Sequence, residues 1–281
     1  METPAKRLGF LFIPRKIPGM FESSFDLPGI LLVAGGAFLA GGMNALAGGG
    51  TFFSFPALLA AGVPPITANA SNTVALWPAS LSSAWVYRRE LAKHREWVIA
   101  LTIVAAIGGI AGGLLLLAIS NKAFTQLIPW LLLVATALFA FSKQISGLVV
   151  KTKAQLGIHQ TDDQPHSKGG LFFQFLVTVY GGFFGAGQGI LTLAALAIQG
   201  IENVQELNAL KNWISAVTYT VSALTFIIAG AINWPYTLLM VMTATLGGMV
   251  GAHIARYLPA LWLKRLVIGV GSAMTIIYFL R

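Results

Sequence analysis

The sequence contains no cysteine. Disulfides, thiolate nucleophiles and cysteine-bound metals are excluded, and the redox compartment stays open. Charge is scarce: Asp, Glu, Lys and Arg make up 10% of the 281 residues, against about a quarter in a soluble domain. No charged residue stands between Leu27 and Tyr87, and no Asp or Glu lies within an apolar run. That argues against a carboxylate proton relay of the usual kind. An intramembrane enzyme would need a nucleophile–base pair or a metal cluster, and the apolar runs offer one histidine, His253. The expectation is therefore no enzyme, no metal and no cofactor. A nucleotide motif is missing too: Gly181 to Gly189 is glycine-rich, but no Lys-Ser/Thr pair follows it. A cleavable signal is not expected, because the apolar run Leu8 to Ile13 is short and Pro14 ends it.

What is present is hydrophobicity. The chain is 56% hydrophobic, with mean hydropathy +0.77 and net charge +9. Basic residues cluster between the apolar runs, which is the pattern of membrane-flanking loops and not of a nucleic-acid surface. The fold class is an all-α polytopic membrane protein. Residues 1–26 form an N-terminal tail, disordered or lying on the membrane surface through Lys6, Arg7, Arg15 and Lys16. Residues 27–148 form a first membrane repeat, 149–168 a cytoplasmic linker, and 169–281 a second membrane repeat.

The repeat shows in two interruptions. Gly41 to Pro56 breaks the first long apolar segment, and Gly181 to Gly189 breaks the corresponding segment of the second half. Unwound backbone in hydrocarbon leaves N–H and C=O groups unpaired at several kcal/mol each, so it persists only against protein, water or a ligand. Gly49 falls on Gly189 and Asn72 on Asn212 at a shift of 140, while Gly108, Gly109 and Gly112 fall on Gly247, Gly248 and Gly251 at 139. Each half then reads as a glycine-broken or re-entrant helix plus three spans. Lys and Arg are in excess on one side whether the halves are parallel or inverted. The short pieces around each break favour inversion, which also suits alternating access.

The run Gly48-Gly49-Gly50-Thr51, followed by Phe55-Pro56-Ala57-Leu58 and then Asn69-Ala70-Ser71-Asn72-Thr73, resembles the TauE/SafE sulfite exporter family. Gly181 to Asn212 is similar to that family's second, degenerate repeat. The resemblance covers about Leu27 to Leu280. It implies transport of sulfite, sulfonates or related small organic anions across the bacterial cytoplasmic membrane. The chain departs from a fuller glycine run at Gln188 and Ile190, so the second hairpin is either less open or uses Gln188 as a ligand.

A small anion in a membrane core needs donors with few fixed cations, and helix N-termini supply them. Gly48, Gly49, Gly50 and Thr51 open one short helix, and Gly187, Gln188 and Gly189 open the other. Asn72, Thr73 and Asn212 add side-chain donors, with Asn44, Asn69, Ser71 and Thr192 as weaker candidates. Lys211 is either an anion contact or a snorkelling flank. His253 is a candidate for proton coupling or a helix-end residue. The glycines themselves have a second reading, close helix packing. The expected partners are a small anionic substrate, a coupling proton or ion, the lipid bilayer and a second copy of the chain. A passive anion channel and a carrier of another small organic anion are the alternatives.

Overall fold

A computed structural model describes residues 26–46, 49–92, 95–142, 144, 147, 168–199, 201, 203–254 and 260–280, and no strand occurs among them. The linker and nearly all of the tail, as well as Gly48, lie outside the described residues. The helices are α1 (Leu27–Leu46), α2 (Thr51–Ala60), α3 (Pro65–Val86), α4 (Arg88–Leu91), α5 (Arg95–Ala118), α6 (Asn121–Ala140), α7 (Lys168–Phe183), α8 (Gln188–Ile198), α9 (Val204–Ile228), α10 (Trp234–Ile254) and α11 (Ala260–Phe279).

Three of them, α1, α5 and α6, are long and apolar enough to cross a membrane. Their outward faces carry large apolar side chains. On α5, Ile99, Ile103, Ile107, Ile110 and Leu114 are all exposed. A surface of that kind needs lipid to cover it. By contrast α3, with 22 residues, matches the span length but turns its polar residues inward: Asn69, Ser71, Asn72 and Thr73 are buried.

Two antiparallel hairpins organise the bundle. In the first, α2 folds back along α1, with Gly50 beside Ala40, Gly36 beside Phe53 and Ala57, and Gly29 beside Ala61. In the second, α8 folds back along α7, with Gly181 beside Gln188 and Gly170 beside Gln199. At 1.5 Å per residue, α2 and α8 each cover about 15 Å, half of a ~30 Å hydrocarbon layer.

The hairpins enter from opposite ends. At one end the Ile66 N–H donates to Asn121 Oδ1 (3.0 Å) and the Asn233 N–H to Ser71 Oγ (2.9 Å). This gathers the starts of α3, α6 and α10 beside the open end of the first hairpin, where Tyr236 approaches Gly29. At the other end Leu91, Leu101, Ile201 and Leu210 form a cluster, which places α4, the start of α5 and the start of α9 beside the open end of the second.

Two long crossings hold the bundle: α1 packs along α10, and α7 along α5. Glycine makes both crossings possible. A Cβ on Gly41 would overlap the Ala244 carbonyl, and one on Gly247 the Phe38 carbonyl. Likewise a Cβ on Gly112 would overlap the Val179 carbonyl, and one on Gly182 the Gly109 carbonyl. The expectation that Gly41, Gly42, Gly181 and Gly182 belong to the breaks is corrected here. They continue α1 and α7 as helix, because a glycine costs a helix only about 1 kcal/mol and close packing offsets it. The interruptions themselves are the few residues between Leu46 and Thr51 and between Phe183 and Gln188.

Candidate functional site

Each break turns on glycine with positive φ: Gly49 at +92° before α2, and Gly185 at +81° and Gly187 at +78° before α8. L side chains rarely adopt that region. Gly50 caps α2 and Gly187 caps α8, and neither cap has a side-chain hydrogen bond. The backbone of each turn serves the first helical turn instead: the Phe52 and Phe53 N–H groups donate to the Gly49 and Gly50 carbonyls (3.1 and 2.9 Å), and the Gln188 and Ile190 N–H groups to the Gly185 and Gly187 carbonyls (3.2 and 3.0 Å). The sequence pairing of Gly49 with Gly189 shifts in three dimensions. Gly189 is the second residue of α8, and the residue that turns the chain as Gly49 does is Gly187. Composition could not reveal this, since the second break has a different length and loops slip where helices cannot.

The two breaks meet in the middle of the bundle. Phe55 of α2 packs edge-on against Phe184 of the second break, ring centroids 5.5 Å apart. The Asn69 Nδ2 donates to the Phe183 carbonyl (3.0 Å). Both breaks also abut α6, Gly49 against Phe139 and Gly187 against Ala135 and Leu138.

A hydrogen-bonded cluster lies at the first break. Asn72 Nδ2 donates to Thr51 Oγ1 (3.4 Å), and Ser54 Oγ lies within bonding distance of both Asn72 Oδ1 and the Gly50 carbonyl (3.2 Å to the latter). The Thr51 hydroxyl also interacts with that of Tyr219 of α9. Tyr219 in turn reaches toward Gly185, its hydroxyl 3.6 Å from where a Cβ would stand, and Tyr180 donates to the Ala186 carbonyl (2.6 Å). Ser54, Tyr180 and Tyr219 were not among the sequence candidates. The signal available was that a buried tyrosine hydroxyl needs a partner, which singles out Tyr219 in the middle of an apolar stretch. The Gly50 N–H is held by Asn44 Oδ1 (3.2 Å), so Asn44 supports the turn. Thr73 donates to the Asn69 carbonyl one turn back (2.9 Å), so its proton is engaged within α3.

The second break differs. Both amide atoms of the buried Gln188 lack a protein partner, so the half-buried Asn212 does not bond it as Asn72 bonds Thr51. Lys211 sits in the second turn of α9, half-buried, with its Cδ 3.7 Å from a Cβ on Gly189. The sequence placed Lys211 in a loop, but Asn203 caps α9 earlier, its side chain accepting from the Gln205 N–H (2.9 Å). No described carboxylate pairs with Lys211. His253 belongs to the last turn of α10 in backbone, and its side chain lies outside what is described. Trp85 and Trp130 are exposed, whereas Trp77 and Trp213 brace α9 by donating to Thr220 Oγ1 and Thr102 Oγ1.

The family model for the sulfite exporter TauE/SafE matches residues 33–278, nearly all of the membrane part. The chain belongs to the TauE/SafE family. It is 27% identical over 259 residues to a "Probable membrane transporter protein" of Haemophilus influenzae, covering 90% of this chain and 95% of that protein. It is 26% identical over 257 residues to the probable membrane transporter protein ORF9 of Sinorhizobium sp, at 92% and 94% coverage. The probable membrane transporter protein YfcA of Escherichia coli K12 is 26% identical over 264 residues, 91% of each chain. No solved structure matches. TauE/SafE is a family of membrane transporters and not of enzymes, and the apolar helices of this chain fit a multi-pass membrane protein.

Proposed function

We propose that this chain is a secondary transporter, working as an exporter, for a small anion, with sulfite or an organosulfonate favoured. Its home is the bacterial cytoplasmic membrane. The observation that carries this reading is the meeting of two glycine-turned helix starts, neither capped by a side chain, over the Thr51–Ser54–Asn72–Tyr219 cluster. The cluster holds donors and no carboxylate. Two partial positive helix ends would draw an anion there, and the few fixed cations would let it leave.

The reciprocal crossings of α1 with α10 and α7 with α5, and the entry of the hairpins from opposite ends, support two inverted repeats with re-entrant hairpins. In this reading the end bearing α4 and its basic residues is cytoplasmic. Alternating access then exchanges the shapes of the two halves.

The test is ligand-induced thermal stabilisation of the purified protein with sulfite, sulfate, thiosulfate, sulfoacetate, taurine and short carboxylates. A ligand at a hundred times its Kd adds about 2.7 kcal/mol to folding stability. A shift for one sulfur anion that vanishes in Asn72→Ala supports the site, and no shift for any of them removes the sulfur-anion assignment. Counterflow in proteoliposomes separates a carrier from a channel, since only a carrier accelerates uptake when substrate is loaded on the far side.

A further inference from the structure

The second hairpin contains a line of polar side chains with unpaired buried atoms, although Gln199 Nε2 donates to the Ala195 carbonyl (3.1 Å). Residues 170, 174, 177 and 181 of α7 follow one another at helical spacing, and so do 188, 192, 195 and 199 of α8. Gly181 faces Gln188 and Gly170 faces Gln199, so these two stripes form the seam between the helices. Gln174 and Thr192 are 0% exposed and Gln188 2%. Both amide atoms of Gln174 and of Gln188, the Thr192 hydroxyl and Gln199 Oε1 are buried without a hydrogen-bond partner. Because nitrogen and oxygen of each buried amide are both unpaired, flipping the amide does not help.

Buried polar groups left unpaired by protein are met by water or by a ligand. Four of them in one line do not fit a packing role, where apolar residues of the same size would do better. The glycines reinforce this. A Cβ at Gly181 or Gly170 would occupy the place of the Gln188 or Gln199 side chain, so the backbone of α7 has been cleared for these amides. The line starts at the central break and ends at the C-terminus of α8. There Ile201 joins the cluster of Leu91, Leu101 and Leu210 at the α4 end of the bundle. Beside the start of the line stands Lys211, its Cδ 3.7 Å from where a Cβ on Gly189 would be.

We infer that the α7–α8 seam is a hydrated route by which a small anion passes between the central break and the α4 end of the bundle. The carboxamides and the hydroxyl replace part of the anion's water shell along the way, and Lys211 attracts it at the inner mouth. This rests on the anion-transport reading for the identity of the passenger, while the wetness of the seam does not depend on it.

The absence of native cysteine allows single-cysteine probing of the full chain without background substitutions. Ala195→Cys stands in the seam, and Ala57→Cys stands at the matching position of the first hairpin. Both alanines are buried, 1% and 6% exposed. Membrane vesicles of both orientations are treated with an anionic, membrane-impermeant methanethiosulfonate, with and without sulfoacetate. A thiol needs water to ionise and react, so Ala195→Cys should react at least about tenfold faster than Ala57→Cys, from the α4 side only. Thr192→Cys is a second seam position that should behave like Ala195→Cys. Slowing by sulfoacetate supports the anion as passenger. Fast reaction that no anion of the panel slows keeps the wet seam and removes the anion reading. Equal reactivity of Ala195→Cys and Thr192→Cys with Ala57→Cys overturns the route.

Discussion

The two hairpins can be laid over one another by the faces they bury, and the overlay is instructive. Gly29, Val33, Gly36 and Ala40 of α1 face Gly50, Ser54, Ala57 and Ala61 around α2. In the same places the second hairpin has Gly170, Gln174, Val177 and Gly181 facing Gln188, Thr192, Ala195 and Gln199. The first interface is small and apolar, and its one hydroxyl, Ser54, is bonded to Asn72. The second has four polar residues, with unpaired buried atoms on every one. A shared backbone plan therefore carries opposite chemistry: one hairpin is apolar and borders an apolar pocket that Gly36, Phe53 and Ala57 help to line, and the other is held together around groups that want water. Two hairpins of the same backbone plan need not do the same work, and the drier one is the better candidate for a fixed wall.

The largest effects should come where the halves are alike. Gly247→Leu and Gly112→Leu place side chains inside carbonyls of the opposing helix, at the α1–α10 and α7–α5 crossings. Overpacking of that kind should cost about 3 kcal/mol or more, enough to remove most folded protein. Size-exclusion profiles in detergent check it. If only one of the two is lost, the crossings are not equivalent and the overlay of the halves weakens.

Next in size is the difference between the two asparagines. Asn72→Ala leaves Ser54 without its side-chain partner and removes the Asn72 donor to Thr51, so it should destabilise by about 1–3 kcal/mol. Asn212→Ala removes no bond to α8 and should fall within about 0.5 kcal/mol of the parent. Thermal melting of both variants measures the contrast. Equal losses would mean that Asn212 is tied down after all.

The turning glycines give a smaller contrast, and a sharper one. Alanine at Gly187 is forced into a left-handed conformation, at about 1–2 kcal/mol. At Gly189, a helical position where a Cβ would make ordinary contact with Lys211 Cδ at 3.7 Å, alanine should be neutral or favourable by up to about 1 kcal/mol. Transport and melting of Gly187→Ala and Gly189→Ala decide which glycine turns the chain.

That last pair also marks the limit of what the sequence conveys. Hydrophobic runs and the neighbourhood of both breaks were legible, since apolar length and glycine spacing act locally. The extent of the breaks was not. Gly41 looks like unwound backbone until α10 is seen to need the space beside it, and that need belongs to Ala244, about two hundred positions away. Thr51 and Asn72 were legible as polar residues in apolar surroundings, and so was Gln188. Tyr219 was not singled out, because an aromatic residue in an apolar run has an ordinary packing explanation until its hydroxyl is seen facing Thr51 and Gly185. Gln174 escaped for the opposite reason: it sits seven residues ahead of the glycine-rich break, and only the antiparallel return of α8 shows that it belongs to the same line as Gln188 and Thr192.

The smallest effect has an unusual sign. Gln174→Leu replaces a fully buried, unpartnered amide with an apolar side chain of similar size, opposite Ala195. Burying such an amide is unfavourable, so the variant should be more stable than the parent by about 1 kcal/mol. In the first hairpin the corresponding residue is already apolar, Val33, and Val33→Leu should bring no such gain. Transport should fall in Gln174→Leu, because the seam loses a group that replaces water around the passing anion. Melting temperature rising while transport falls would identify Gln174 as a residue retained for work at a cost to stability. A lowered melting temperature would mean that the amide is bonded, by protein or by ordered water, and would remove Gln174 as a residue kept at a cost to stability.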